Sequence, residues 1–134
     1  MTMFSLLYMT LRVARHTNNL DKLIEFYTKI LALEILGSFK DHAGYDGVFI
    51  GKREAQWHLE FTSNEEQAKH SFDDDDALVF YPTSKSSFQK VKENIQAHKL
   101  PILKAKNPYW NDNGILVQDP DGFNVIISSL KIAD

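Results

Sequence analysis

The last part of the chain carries the signal that most constrains the fold. Asp119-Pro120-Asp121-Gly122 separates two apolar runs, at residues 114–118 and 123–129. Proline presets φ for the second position of a β-turn, aspartate accepts hydrogen bonds from the backbone ahead of it, and glycine tolerates positive φ. The stretch therefore predicts a β-hairpin. Residues 47–62, G-V-F-I-G-K-R-E-A-Q-W-H-L-E-F-T, predict a second unit of strand, polar turn and strand.

The first half of the chain combines a helical pattern with four strand-like segments. Residues 9–15 alternate in the way that is typical of a strand. Residues 20–31 place apolar side chains at helical spacing, directly after good N-cap residues. Three further strands are predicted at residues 33–39, 45–50 and 56–62. The predicted order is β-α-β-β-β.

The second half repeats this order of elements, although the sequence identity between the two halves is low. A short strand at 77–81 precedes a helix that ends at residue 98, a weak strand at 100–103, a loop at 107–113 and the closing hairpin. The repeat predicts an α+β fold of two βαβββ modules, because each module leaves a sheet face that only its partner can cover. The predicted divisions are module one at 9–62, a polar linker at 63–75 and module two at 76–130.

Charge and composition exclude several classes of function. The formal net charge is −3, and no basic stretch is dense enough to neutralise a phosphate backbone, so no nucleic-acid partner is expected. The absence of cysteine excludes disulfides, thiolate ligands and cysteine nucleophiles. The apolar N-terminal run lacks the preceding positive residue of a secretion signal, and no run is long enough to span a membrane. We therefore expect a cytoplasmic protein with no membrane partner.

Two segments carry a resemblance to a known family. V-A-R-H-T-N-N-L-D-K-L-I-E-F-Y-T-K-I-L-A-L-E-I-L and the late D-P-D-G-F-N-V-I-I, in this element order, resemble the vicinal oxygen chelate superfamily. That group includes glyoxalase I, bleomycin-resistance proteins, fosfomycin-modifying enzymes and extradiol dioxygenases. The resemblance implies one glyoxalase-like domain whose two curved sheets enclose a cup, and it implies a homodimer. Function does not follow from this fold, because the same scaffold carries many chemistries.

The resemblance also implies four positions where metal-dependent relatives carry ligands. These positions fall on Arg12, Glu60, Asp76 and Ile126. An arginine does not deprotonate to ligate a cation, and isoleucine has no donor atom. Glu60 matches, and Asp76 matches less well. We therefore predict that the usual metal site is missing and that no cofactor is bound, with a divalent metal disfavoured.

Strand alternation places other polar residues on the same predicted surface. The apolar face of residues 56–62 has a helix to pack against, so His58 and Glu60 are expected to face the cup, as is Asn124 in the second module. In similar folds the first and fourth strands are neighbours. Arg12 is therefore predicted to contact Glu60 in the space that a metal fills in relatives.

Each candidate residue has a functional and a structural interpretation. Glu60 as a base beside His58 would support acid–base catalysis, whereas a hydrogen-bonded polar lining needs no catalysis. Arg12 either binds an anionic ligand or neutralises a buried carboxylate. Tyr109 and Trp110 either stack on a planar ligand or cap the core.

The leading hypothesis is a glyoxalase/bleomycin-resistance-like protein that binds a small organic molecule, planar or anionic, in the cup between the modules. The alternative is a metal-dependent lyase, isomerase or dioxygenase with a displaced site at His58 and Glu60. A third interpretation is a structural or protein-interaction module with no cavity.

Overall fold

A computed structural model of the chain describes residues 9–134. These residues form two compact units: the first unit is residues 9–28 and 33–68, and the second unit is residues 29–32 and 69–134. Between residues 9 and 134, no helix combines the length and the apolar character that a membrane span requires. The predicted α+β class is confirmed, since each unit contains both helix and sheet.

The first unit contains a four-stranded mixed sheet. Its strands are β1 (Leu11–His16), β2 (Glu34–His42), β3 (Tyr45–Gly51) and β4 (Trp57–Ser63), in the spatial order β1-β4-β3-β2. Strand β1 runs parallel to β4, and the other two pairs are antiparallel. All four predicted strands are present, and β1 and β2 are the edges of the sheet.

One helical segment covers one face of this sheet. Helix α1 (Leu20–Glu25) begins after Asn19, whose side chain accepts a hydrogen bond from the Lys22 N–H at 3.1 Å. The predicted helix at 20–31 does not stay α-helical, because a π-helical turn follows at Phe26–Ile30. Tyr27 in that turn lies 5.0 Å from the ring of Phe61 on β4, which fixes the helical side of the sheet.

The second unit contains the predicted closing hairpin. Strands β5 (Ala77–Phe80), β6 (Gly114–Gln118) and β7 (Asn124–Ser128) form a sheet in the order β5-β7-β6. Helices α2 (Lys85–Ala97) and α3 (Tyr109–Asn113) complete the unit. The Asp119 carboxylate accepts hydrogen bonds from the backbone N–H groups of Asp121 and Phe123, and Gly122 has a φ of 85°. The turn chemistry predicted from the sequence is therefore confirmed.

Two predictions in the second half are wrong. The strand expected at 100–103 is reduced to one bridge, in which the Leu103 N–H donates to the Leu116 carbonyl at 2.9 Å. Pro101 has no N–H to donate, so this segment cannot build a full ladder. The loop expected at 107–113 contains the short helix α3. The sheet of the second unit consequently has three strands rather than four.

Candidate functional site

Strand pairing in the first unit gathers several predicted residues on one face of the sheet. Arg12 on β1 is level with His58 on β4, and Glu60 is level with Phe49 on β3. Side chains that are level on paired strands project from the same side of a sheet. We call the surface formed by Arg12, His58, Glu60, Phe49 and Phe39 the polar face. It lies opposite the face that packs against the helical segment through Phe61.

Arg12 is held in place by three neighbours on the polar face. Its Nε donates a hydrogen bond to Nε2 of His58 at 2.9 Å, and its Nη1 lies 3.7 Å from Oε2 of Glu60. Its guanidinium carbon lies 4.7 Å from the ring centre of Phe49. The contact predicted between Arg12 and Glu60 is therefore confirmed. The Arg12 side chain nonetheless remains 51% exposed, so the guanidinium is positioned and still accessible.

The hydrogen bond from Arg12 indicates which ring nitrogen of His58 carries the proton. An imidazole nitrogen accepts a hydrogen bond only through its lone pair, so the His58 proton is on Nδ1 in this arrangement. His58 therefore enters the site as a neutral acceptor whose Nε2 lone pair is already engaged by Arg12. It helps to position the guanidinium, and a role of His58 beside Glu60 in acid–base catalysis stays a prediction.

Glu60 has a different environment. Its side chain is 15% exposed, and the ion pair to Arg12 exceeds hydrogen-bond length. Within residues 9–134, no hydrogen-bond donor satisfies the Glu60 carboxylate. Its neighbours across the strands are Ala14 and Phe49, which offer no donor from their side chains. Glu60 is therefore a largely covered carboxylate beside a cation, and its oxygens still reach solvent.

Two aromatic residues of the polar face were missed by the sequence analysis. The rings of Phe49 and Phe39 lie 5.7 Å apart, and both residues are half-buried. Phe39 lies across Gly47, where an added Cβ would collide with its ring. Alternation within β3 contains the signal for Phe49, since Val48 and Ile50 are buried on the opposite side.

The remaining predicted ligand-binding residues lie in the second unit and have structural partners there. Trp110 packs against a buried cluster that includes Ile126. Tyr109 is half-exposed, with its ring 5.0 Å from that of Trp110. The Asn124 side chain donates to the Asp74 carbonyl at 2.8 Å and accepts from Gln118 at 3.1 Å.

A small cavity lies beside these residues in the second unit. Its volume is about 30 Å³, and its lining includes Trp110, Asn124 and Ile126. That volume suits a water molecule rather than an organic ligand. A ligand-binding role for Tyr109, Trp110 and Asn124 therefore stays a prediction, and all three residues belong to the second unit.

Two of the four implied ligand positions carry side chains that cannot ligate a metal ion. Arg12 presents only donors, and the Ile126 side chain is 3% exposed within an apolar cluster. Asp76 accepts a hydrogen bond from the Asp73 N–H through its carboxylate. Residues 9–134 contain no group of three or more His, Cys, Asp or Glu side chains arranged to hold a metal. The displaced site at His58 and Glu60 has no third ligand among them.

Sequence comparison identifies the two halves of the chain with the two halves of one family. Residues 11–62 match the model of the YycE-like N-terminal domain, and residues 75–129 match that of the YycE-like C-terminal domain. The chain is 34% identical over 122 residues to the YycE protein of Bacillus subtilis strain 168. That match covers 90% of this chain and 88% of the relative.

Comparison with solved structures agrees with the family match of the sequence. The crystal structure of a Bacillus subtilis YycE protein has a TM-score of 0.80 and 33% identity, covering 93% of this chain and 90% of that one. Glyoxalase I from Leishmania major has a TM-score of 0.70 and 21% identity, and the match covers 91% of this chain and 86% of that one. A fosfomycin resistance protein from Listeria monocytogenes has a TM-score of 0.64 and 14% identity, over 90% and 92%. The last two likenesses show only that the fold is the predicted glyoxalase-like one. The two domain matches and the identity with the Bacillus subtilis protein show that the chain belongs to the YycE-like family.

Proposed function

We propose that this protein binds a small organic molecule on the polar face and that Arg12 receives a carboxylate group of that molecule. The observation that carries the proposal is the Arg12 guanidinium, which three neighbours hold in place while half of its side chain stays exposed. Glyoxalase-like scaffolds support several kinds of chemistry, so the proposal rests on this arrangement rather than on the fold.

The hydrogen-bonding capacity of Arg12 supports an anionic ligand. A guanidinium has five N–H donors, and within residues 9–134 only the one on Nε makes a hydrogen bond. The fork of donors on Nη1 and Nη2 matches the geometry of a carboxylate. Because His58 and Phe49 already restrain the side chain, binding costs less conformational entropy than it would at a free surface arginine.

The charge of Glu60 narrows the ligand further. Arg12 and Glu60 carry opposite charges 3.7 Å apart, and His58 is neutral in this arrangement. A dianion such as a phosphate monoester would meet the nearby carboxylate with two negative charges and only one cation to offset them. A monoanionic carboxylate suffers about half of that repulsion. The polar face therefore suits an organic monocarboxylate best.

A thermal-shift screen with matched ligand pairs tests the proposal. Each carboxylic acid in the library is paired with its primary amide, and both are screened with divalent metal ions and with a chelator. The wild-type protein is compared with Arg12→Gln. Arg53→Gln is the control, since Arg53 is an exposed arginine of the same unit on the turn before β4.

The expected result is a set of acids that raise the melting temperature of the wild type and of Arg53→Gln, while their amides do not. Arg12→Gln should lose the preference for acids. The proposal is wrong if stabilising compounds show no preference for a carboxylate or if Arg12→Gln binds acids as well as the wild type does. Stabilisation that requires a metal ion and disappears with the chelator would favour the metal-dependent alternative at His58 and Glu60.

A further inference from the structure

We infer that the ligand is an aromatic carboxylate whose ring packs against Phe49 and Phe39 while its carboxylate binds Arg12. This inference rests on the proposed function, because it names the class of ligand for the same site. It adds a second recognition element, and that element lies on strands β2 and β3 rather than on β1 and β4.

The two phenylalanine rings form a continuous aromatic surface next to Arg12. The guanidinium carbon of Arg12 lies 4.7 Å from the centre of the Phe49 ring, and the centres of the Phe39 and Phe49 rings lie 5.7 Å apart. The planes of the two rings are inclined by 45°. A molecule whose carboxylate binds Arg12 can therefore place an attached ring against Phe49 and Phe39.

The ring of Phe39 packs closely over Gly47. Three atoms of its ring crowd the position that a Cβ of Gly47 would take, so the ring lies flat on the backbone of β3. Glycine at this position permits that close approach. The ring of His42 borders Phe39, with the two ring centres 6.1 Å apart and the ring planes inclined by 79°. Planar aromatic groups pack favourably on such a surface in offset or tilted geometry.

An aromatic ligand body gains more from this surface than an aliphatic body of similar size. Aromatic pairs contribute attraction beyond the burial of apolar area, which corresponds to about two- to tenfold in affinity. The Arg12–Glu60 pair has a net charge of zero, so it attracts a distant anion only weakly. Selectivity among carboxylates therefore depends on the Phe49–Phe39 surface.

Isothermal titration with three probes tests the inference. The probes are 2-naphthoate, cyclohexanecarboxylate and 2-naphthamide, which separate the contribution of the ring from that of the charge. The proteins are the wild type, Phe39→Leu, and Phe88→Leu as a control, since Phe88 is a half-buried residue of α2 in the second unit. Contacts in the unaltered protein are read independently from nuclear Overhauser effects between naphthoate protons and the ring protons of Phe39.

The wild type and Phe88→Leu should bind 2-naphthoate about fivefold more tightly than cyclohexanecarboxylate. Phe39→Leu should lose that preference, and the Overhauser contacts to Phe39 should appear in the wild type. Equal affinity for both acids, with no contact to Phe39, would overturn the inference and leave the proposed function intact. Failure of every carboxylate to bind would instead overturn the proposed function. If Phe39→Leu does not fold, the Overhauser measurement decides alone.

Discussion

The closing turn offers a sharp test of how this sequence stabilises its fold. Asp119 is 4% exposed, and one of its carboxylate oxygens accepts hydrogen bonds from the N–H groups of Asp121 at 2.9 Å and Phe123 at 3.1 Å. The Asp119→Ala variant removes the acceptor and leaves both backbone donors without it. Bonds to a charged acceptor contribute about 1.5–3 kcal/mol each, and the half-buried donors regain some bonding to water. We expect a loss of about 2–4 kcal/mol in the free energy of unfolding.

Asp119→Asn is the matched control. Asparagine keeps an acceptor oxygen of the same reach and loses only the charge, so the expected loss is about 1 kcal/mol. Urea unfolding followed by far-ultraviolet circular dichroism measures both variants, and the larger loss corresponds to a midpoint lowered by roughly 1–2 M. The reasoning is refuted if Asp119→Ala unfolds within about 0.5 kcal/mol of the wild type, or if both variants lose the same amount.

Three further predictions concern helix ending, ligand affinity and assembly. Lys99 follows α2 with a φ of 53°, and its N–H donates to the Gln96 carbonyl. Lys99→Gly should therefore stabilise the fold by about 1 kcal/mol in urea unfolding, because glycine adopts a positive φ without strain. Gln96→Gly, inside the helix, should destabilise the fold by a similar amount. Glu60→Gln should raise the affinity for a carboxylate roughly tenfold in titration calorimetry, because it removes the negative charge beside Arg12; a fall in affinity would mean that Glu60 contacts the ligand. Light scattering should find the wild type as the homodimer that the family resemblance predicts. Val13→Glu should contain more monomer, because Val13 is 41% exposed on the edge strand β1 and a charge there would disfavour pairing. A monomeric wild type would contradict this prediction.

Local turn chemistry and strand alternation could be predicted because they depend on neighbouring residues. Asp119 and Gly122 determine the closing turn by their own bonding and conformational preferences. Alternation within residues 56–62 was enough to place His58 and Glu60 on one face. The predicted contact between Arg12 and Glu60 needed one non-local assumption, the pairing of β1 with β4, which the resemblance supplied and the structure confirms.

Two of the features that were missed depend on longer-range packing, whereas the shortened strand near Leu103 reflects a local proline. The bridge at Leu103 is all that remains of the expected strand, because Pro101 cannot donate and no adjacent residue extends the ladder. The π-helical turn at Phe26–Ile30 places Tyr27 against Phe61, a contact that residue spacing along the helix does not reveal. Phe39 lies on the polar face only through its register with Gly47 across two strands.

The central claim is that the Arg12 guanidinium binds the carboxylate of an organic ligand. A thermodynamic cycle tests it most directly: the tightest-binding carboxylate from the screen and its amide are each titrated into the wild type and into Arg12→Gln. The account predicts a coupling free energy of about 1.5–3 kcal/mol between the carboxylate and Arg12. A coupling of about zero, with both proteins discriminating acid from amide equally, would contradict it.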